Sequence, residues 1–302
     1  MSFHIQCVAF LGLGLISGSL AKALRASGYA GELVGYGPRE PSLQRGLALG
    51  VIDRYSLDLD VVIAAADLLV VGAPPMASGE LLADLLPRVQ RSPHQPIVTD
   101  LASIKGWVID RAACQYHRFV PGHPIAGSED SGIDAARDDL FAGREIILTP
   151  SGETDASALA QVTAIWALTA ARVIQMPVDD HDAALAASSH SPHMLAYALT
   201  MALAKDPLHS MQHGGGALRD MTRIAGSDPV MWRDIALTNR AALLRALTSV
   251  EAELSRLKAL IAAGDGEGLT AYFAYCRNVR RDHDLLLNPL FEPAESTDEI
   301  PQ

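Results

Sequence analysis

Residues 8–20, VAFLGLGLISGSL, constrain this chain more than any other stretch. An apolar run ends on Gly12, Gly14 follows, and a helix-like pattern begins at once. Apolar residues without alternation read as a strand buried on both faces of a parallel sheet. Gly12 permits a tight turn, and Gly14, lacking a side chain, lets a pyrophosphate approach the backbone. The N–H groups of Leu15 and Ile16 and the positive end of the helix dipole favour that anion. Ser17 replaces the usual third glycine, with Gly18 beside it, and both are small enough for close helix–strand packing. An ordinary βα turn would also use glycines. Strand, glycines and helix in this order point instead to a dinucleotide site.

The first half continues in the same style. Apolar runs at 8–11, 33–36, 68–71, 97–99, 119–120, 146–148 and 172–176 alternate with helical stretches at 19–27, 41–49, 78–90, 104–115 and 156–169. That is the pattern of an α/β doubly wound parallel sheet covered by helices. In such sheets ligands lie at the carboxyl ends of the strands. The loops containing Ala73-Pro74-Pro75, Asp100–Ser103 and Gly122-His123-Pro124 are therefore placed for chemistry. After Pro177 strand signals vanish. Helical stretches at 180–204, 215–225, 229–263 and 267–287 imply an all-α second domain. The third is about 50 Å long at 1.5 Å per residue, opened by Ser227-Asp228-Pro229 and closed by Gly264. Along it Leu243, Leu247, Val250, Leu254, Leu257 and Ile261 make a heptad seam, which predicts a homodimer built from the helical half. The expected domains are 1–177 and 178–288, with 289–302, rich in proline and acid, reading as a disordered tail.

Composition narrows the function. A net charge of −11 argues against nucleic acid as a partner. Cys7, Cys114 and Cys276 have no metal or disulfide spacing, as expected of a reducing compartment. The start, MSFHIQC, lacks a basic segment ahead of an apolar stretch, and Asp67 interrupts the best membrane-span candidate at 61–71. The expectation is a soluble, cytoplasmic protein with no membrane partner and no metal. The second strand ends in Val34-Gly35-Tyr36-Gly37-Pro38-Arg39. Gly37 occupies the place where an acid normally accepts the adenosine ribose hydroxyls of NAD. Arg39 could bind a 2′-phosphate or be a solvated loop residue, so NAD and NADP both stay open.

Four further segments carry chemistry: Thr99–Gly106 (TDLASIKG), Gly122–Glu129 (GHPIAGSE), Ser189–His193 (SHSPH) and Arg219–Pro229 (RDMTRIAGSDP), the last followed by Met231-Trp232. Behind the opening glycine turn, and in this order, they resemble the TyrA family of prephenate and arogenate dehydrogenases, from about residue 6 to about residue 285. The resemblance implies a Rossmann domain followed by a helical dimerisation domain. It also implies an oxidative decarboxylation in tyrosine biosynthesis, with prephenate or arogenate as the small-molecule substrate. Hydride leaves C4 of a cyclohexadienol for the nicotinamide and the ring carboxylate leaves as CO2, so the protein mainly orients groups and takes one proton.

The family's catalytic histidine matches His123, whose neutral imidazole suits the C4 hydroxyl proton. Ser103 matches the serine that shares that hydroxyl's hydrogen bonds, and equally reads as an N-cap for a helix starting at Ile104. Ala102 stands where the family more often has glycine. Arg223 matches the substrate arginine that holds a carboxylate bidentately; an ion pair with Asp220 would be its ordinary role. His193 matches a substrate contact, and His190 reads as a supporting residue. Glu129, Asp220 and Trp232 match a polar and aromatic rim. Gly12, Gly14, Leu15, Ile16, Arg39, Ala73, Pro74 and Ser103 are the candidate cofactor contacts. Two other enzyme readings share the fold. A β-hydroxyacid dehydrogenase would need a catalytic lysine on the helix after the first domain, and residues 178–204 hold none. An enzyme acting on 4-amino-4-deoxyprephenate is barely separable by sequence. A non-catalytic dinucleotide sensor would not need His123, Ser103 and Arg223 together.

Overall fold

The structure is a computed structural model that describes residues 4–127 and 130–284. Strand β1 (Cys7–Leu11) is buried along its whole length. With β2 (Glu32–Tyr36), β3 (Arg54–Ser56), β4 (Leu68–Val71), β5 (Ile97–Asp100) and β6 (Phe119–Val120) it forms a six-stranded parallel sheet in the order β3-β2-β1-β4-β5-β6. Alternation along each strand sorts the core into two layers. Val8, Phe10, Leu68 and Val70 join one cluster with Leu20 and Leu24 of α1 (Leu15–Ala26) and Leu43 of α2 (Glu40–Ala48). Ala9, Leu11, Leu69 and Val71 join the other, with α3 (Leu59–Ala65), α4 (Pro75–Arg91) and α5 (Gly106–Ala112). Both faces are covered, which is why these strands read as unbroken apolar runs.

The two later runs do not extend this sheet. β7 (Gly122–Pro124), β8 (Glu145–Leu148) and β9 (Arg172–Gln175) form a separate three-stranded sheet, with β7 antiparallel to β8 and β8 parallel to β9. The chain leaves the main sheet at Val120, and one residue later β7 pairs His123 with Ile147. Helix α6 (Ala156–Ala167) follows β8, and its Trp166 is fully buried edge-on to Phe141. β3 and α3 carried no clear periodic signal; α3 is started by Asp58, whose carboxylate accepts from the Asp60 and Val61 amides.

After Pro177 the described residues form helices and turns without a strand: α7 (Val178–Leu185), a π-helical turn at Ala186–His190, α8 (Ser191–Ala204), a 3-10 turn at Ser210–His213, α9 (Gly216–Thr222), a 3-10 turn at Arg223–Gly226, α10 (Pro229–Thr238), α11 (Arg240–Ala263) and α12 (Gly266–Asp282). The expected 229–263 helix is therefore two helices. Asn239, at φ −104° and ψ 30°, ends α10. Its buried side-chain amide donates to the Asp182 carbonyl at 2.9 Å and meets His190 Nδ1 at 3.2 Å. Those distant partners outweigh the local helical pattern. α11 is about 36 Å long and ends at Gly264, whose φ of +64° is the left-handed value that stops a helix. Along the predicted seam Leu243 is buried, while Leu254 and Ile261 are 50% and 64% exposed. Two compact units divide the chain, Met1–Ala246 and Leu247–Gln302. No helix among the described residues is long and apolar enough to cross a membrane. The three cysteines are free thiols. The predicted tail lies outside the described residues.

Candidate active site at the carboxyl edge of the sheet

Because β1, β4 and β5 are neighbours in that order, the loops that follow them stand side by side. The Gly12 turn is tied to both sides: its amide donates to the Tyr36 carbonyl, and the Gly72 amide donates to the Leu11 carbonyl, each at 2.9 Å. Gly12 has φ +97°, and a Cβ there would lie 2.6 Å from the Gly72 carbonyl oxygen. Only glycine fits. A Cβ on Gly14 would meet nothing within 4 Å, so open space lies before the helix. α1 has no side-chain cap and no acid in its first turn, leaving the Leu15 and Ile16 amides to an incoming anion. These features fit a dinucleotide pyrophosphate. Ser17, not Gly18, makes the close helix–strand contact, since a Cβ on Gly72 would strike its hydroxyl. Gly18 faces the other way, against Ile133 and Ala136. Ala73 accepts a hydrogen bond from Ser78 Oγ at 2.7 Å, and Pro74 precedes α4. Arg39 is exposed and precedes α2, whose first residue, Glu40, accepts from Tyr55.

His123 stands beside the end of β5. The Gly122 amide faces Asp100 Oδ1 at 3.3 Å, and the Gly122 carbonyl accepts from Lys105 Nζ at 2.5 Å. Lys105 Nζ also pairs with Asp100, and both side chains are fully buried. This ion pair fastens the strand that carries His123. Burial lowers the Lys105 pKa, opposed by the Asp100 charge. The His123 ring is itself buried, with Nδ1 2.9 Å from His181 Nε2. His181 Nδ1 lies 2.8 Å from Asp182 Oδ1. Asp182 in turn accepts from the Lys105 and Gly106 amides, each at 2.9 Å. That corrects the expected cap: α5 starts at Gly106, and its N-terminus is covered by Asp182, 76 residues on, rather than by Ser103. Ser103 is half-buried in the loop between β5 and α5.

The surroundings favour the neutral imidazole at His123, His190 and His193. Burial, then the charges of His181, Lys105 and His190, holds His123 well below its ordinary 6.5. Burial pushes His190 down to about 4 and lowers His193 against the pull of its bond to the Ser189 carbonyl. For Asp182 burial acts upward, but its bonds from His181, Lys105 and Gly106 win and hold the carboxyl below the usual range.

His193 Nδ1 bonds the Ser189 carbonyl at 2.9 Å, and its ring stacks on Trp232 at 3.6 Å between centroids. Trp232 is buried with Ile104 and Ile235 rather than lying on a rim. His190 meets the same indole edge-on at 6.1 Å. Arg223 is exposed at the end of α9, on the 3-10 turn that packs against α8. Asp220 is exposed too, 3.3 Å from Arg219 Nε. Glu129 lies outside the described residues. Among the described residues no group of three or more His, Cys, Asp or Glu is placed to hold a metal. Sequence reasoning gave no role to Lys105, His181, Asp182 or Asn239. The Asp100/Lys105 spacing and the His181-Asp182 pair were the available signals.

Two family models match the chain: "Prephenate dehydrogenase, nucleotide-binding domain" over residues 20–175 and "Prephenate dehydrogenase, dimerization domain" over 177–275. A cyclohexadienyl dehydrogenase of Zymomonas mobilis is 34% identical over 288 residues, covering 92% of this chain and 97% of that protein. The crystal structure of Aquifex aeolicus prephenate dehydrogenase with hydroxyphenyl propionate and NAD+ superposes with a TM-score of 0.88 at 34% identity, covering 94% of this chain and all of that one. Synechocystis arogenate dehydrogenase gives 0.78 at 28% identity, over 92% and 99%. With a parallel sheet, a glycine turn fit for a dinucleotide and these matches across nearly its whole length, the chain belongs to the prephenate dehydrogenase family, enzymes that use a nicotinamide dinucleotide.

Proposed function

We propose that the protein oxidatively decarboxylates prephenate, and arogenate as a second substrate. Residues 1–177 hold the dinucleotide; residues 178–288 complete the substrate site and pair two copies through their exposed apolar helix faces. The supporting observation is a buried imidazole, His123, held neutral at the sheet edge that also carries the Gly12–Gly14 turn. The bound nicotinamide supplies the hydride acceptor. His123 Nε2 takes the C4 hydroxyl proton as hydride leaves C4, and returns it to the phenolate oxygen formed when loss of CO2 makes the ring aromatic. Ser103 shares the hydroxyl's hydrogen bonds. His193, set by Trp232, and Arg223 bind polar groups of the substrate, Arg223 a carboxylate.

NAD+ is the proposed acceptor, with exposed Arg39 available to the 2′-phosphate of NADP+. One absorbance assay, crossing prephenate and arogenate with NAD+ and NADP+, tests the reading. Reduction of cofactor by at least one cyclohexadienyl substrate is expected; none in all four combinations would refute it. Replacing Arg223 with Ala should raise KM about 10–100-fold, the loss of a charged hydrogen-bonded contact, and change kcat far less. An unaltered KM would remove Arg223 from the site.

A further inference from the structure

Two side chains stand in a row behind the proposed base. The Asp182 carboxylate is anchored by two backbone amides of the α5 N-terminus, from Lys105 and Gly106. Its Oδ1 meets Nδ1 of His181, a ring with no exposed surface. The far nitrogen of that ring, Nε2, meets His123 Nδ1 at 2.9 Å, with the rings edge-on at 67°. An ionised carboxylate only accepts, so the hydrogen between Asp182 and His181 sits on His181 Nδ1. A neutral His181 then has a lone pair at Nε2. Two imidazole nitrogens 2.9 Å apart need one hydrogen between them, and only His123 Nδ1 is left to supply it. The hydrogen bond at one ring nitrogen thus decides the state of the other.

We propose that Asp182 and His181 are positioning residues which lock His123 in the tautomer with Nδ1 protonated and Nε2 open to take the substrate's proton. The proposal rests on the reading of His123 as the base. No proton travels along the chain; the two residues only orient the ring, as the buried carboxylate does in a hydrolase triad. Without the carboxylate, His181 is free to protonate at Nε2. It would then donate to His123 Nδ1, forcing the His123 hydrogen onto Nε2, where it blocks the base.

Nitrogen-detected NMR of the imidazoles in the full-length protein, without substrate, reads this directly. Wild type should show both His123 and His181 protonated at Nδ1. Asp182→Asn should move His123 toward the Nε2-protonated form, lower kcat at least tenfold and leave KM within about twofold. His181→Phe, which fills the space without hydrogen bonds, should lose kcat in the same way. His181→Gln, whose amide can donate to Asp182 and accept from His123, should recover part of it. A wild-type His123 protonated at Nε2, or unchanged kcat in both Asp182→Asn and His181→Phe, overturns the proposal. Loss of the base reading would look different: His123→Asn would leave turnover intact whatever tautomer the spectra show.

Discussion

Replacing His123 with Asn lowers kcat by roughly 10²–10⁴-fold, the usual loss when a general base is removed, while dinucleotide binding by calorimetry is unchanged. The two readouts separate because the imidazole is tied to β5 and to His181, whereas the dinucleotide turn is held between β2 and β4. The pH profile of the wild type carries the same information. His123 is held well below 6.5 by its burial and by the charges of His181, Lys105 and His190. A lowered pKa means the neutral form, the one that accepts a proton, already dominates at neutral pH. Activity should therefore stay level on the alkaline side of 6.5 and fall only as acid drives the pH down through the lowered value. A His123→Asn enzyme that turns over normally would remove His123 from the mechanism. A wild-type profile that climbs steeply through 7 would show that the ring is not held neutral.

Lys105→Met should destabilise the protein by about 3–5 kcal/mol, the cost of leaving one charge of a buried pair uncompensated. Lys105 and Asp100 are both fully buried, and the ammonium also bonds the Gly122 carbonyl. Methionine fills much of the same space, so the loss is electrostatic rather than a cavity. Urea unfolding followed by far-UV circular dichroism measures it. Pairing the substitution with Asp100→Asn, whose side-chain oxygen still accepts from one of the Gly122 and Ala102 amides, should restore part of the loss, because both buried charges are then gone. A shift below about 1 kcal/mol in the single variant would mean that water reaches the pair.

What could be read in the sequence depended on distance along the chain. The Gly12–Gly14 turn was legible because strand, turn and helix are contiguous, and the φ of +97° at Gly12 is a demand one residue makes by itself. The place of His123 beside the end of β5 was legible from its loop, which follows a strand run. The separate sheet of β7, β8 and β9 was not, since an apolar run such as Ile146–Leu148 announces a strand without naming its neighbour. Nor was the break at Asn239: the helical pattern runs through it, and the groups that interrupt it belong to Asp182 and His190. Ser103 was the natural local cap, but the helix start is capped from 76 residues away by Asp182. Local rules see caps, turns and periodicity. Buried polar partners remote in sequence, which hold this site together, leave no such mark.

The π-helical turn at Ala186–His190 has a consequence for chain length. There the Ser191 amide reaches back five residues to Ala186 instead of four, so the turn stores one residue more than an α-helix needs. Deleting a single residue inside it would yield an unbroken α-helix, with His181 and His193 still on their present faces. A deletion elsewhere between His181 and His193 would swing His193 by about 100° relative to His181, pulling the imidazole stacked on Trp232 out of place. Natural one-residue length variation between His181 and His193 should therefore be confined to those five positions.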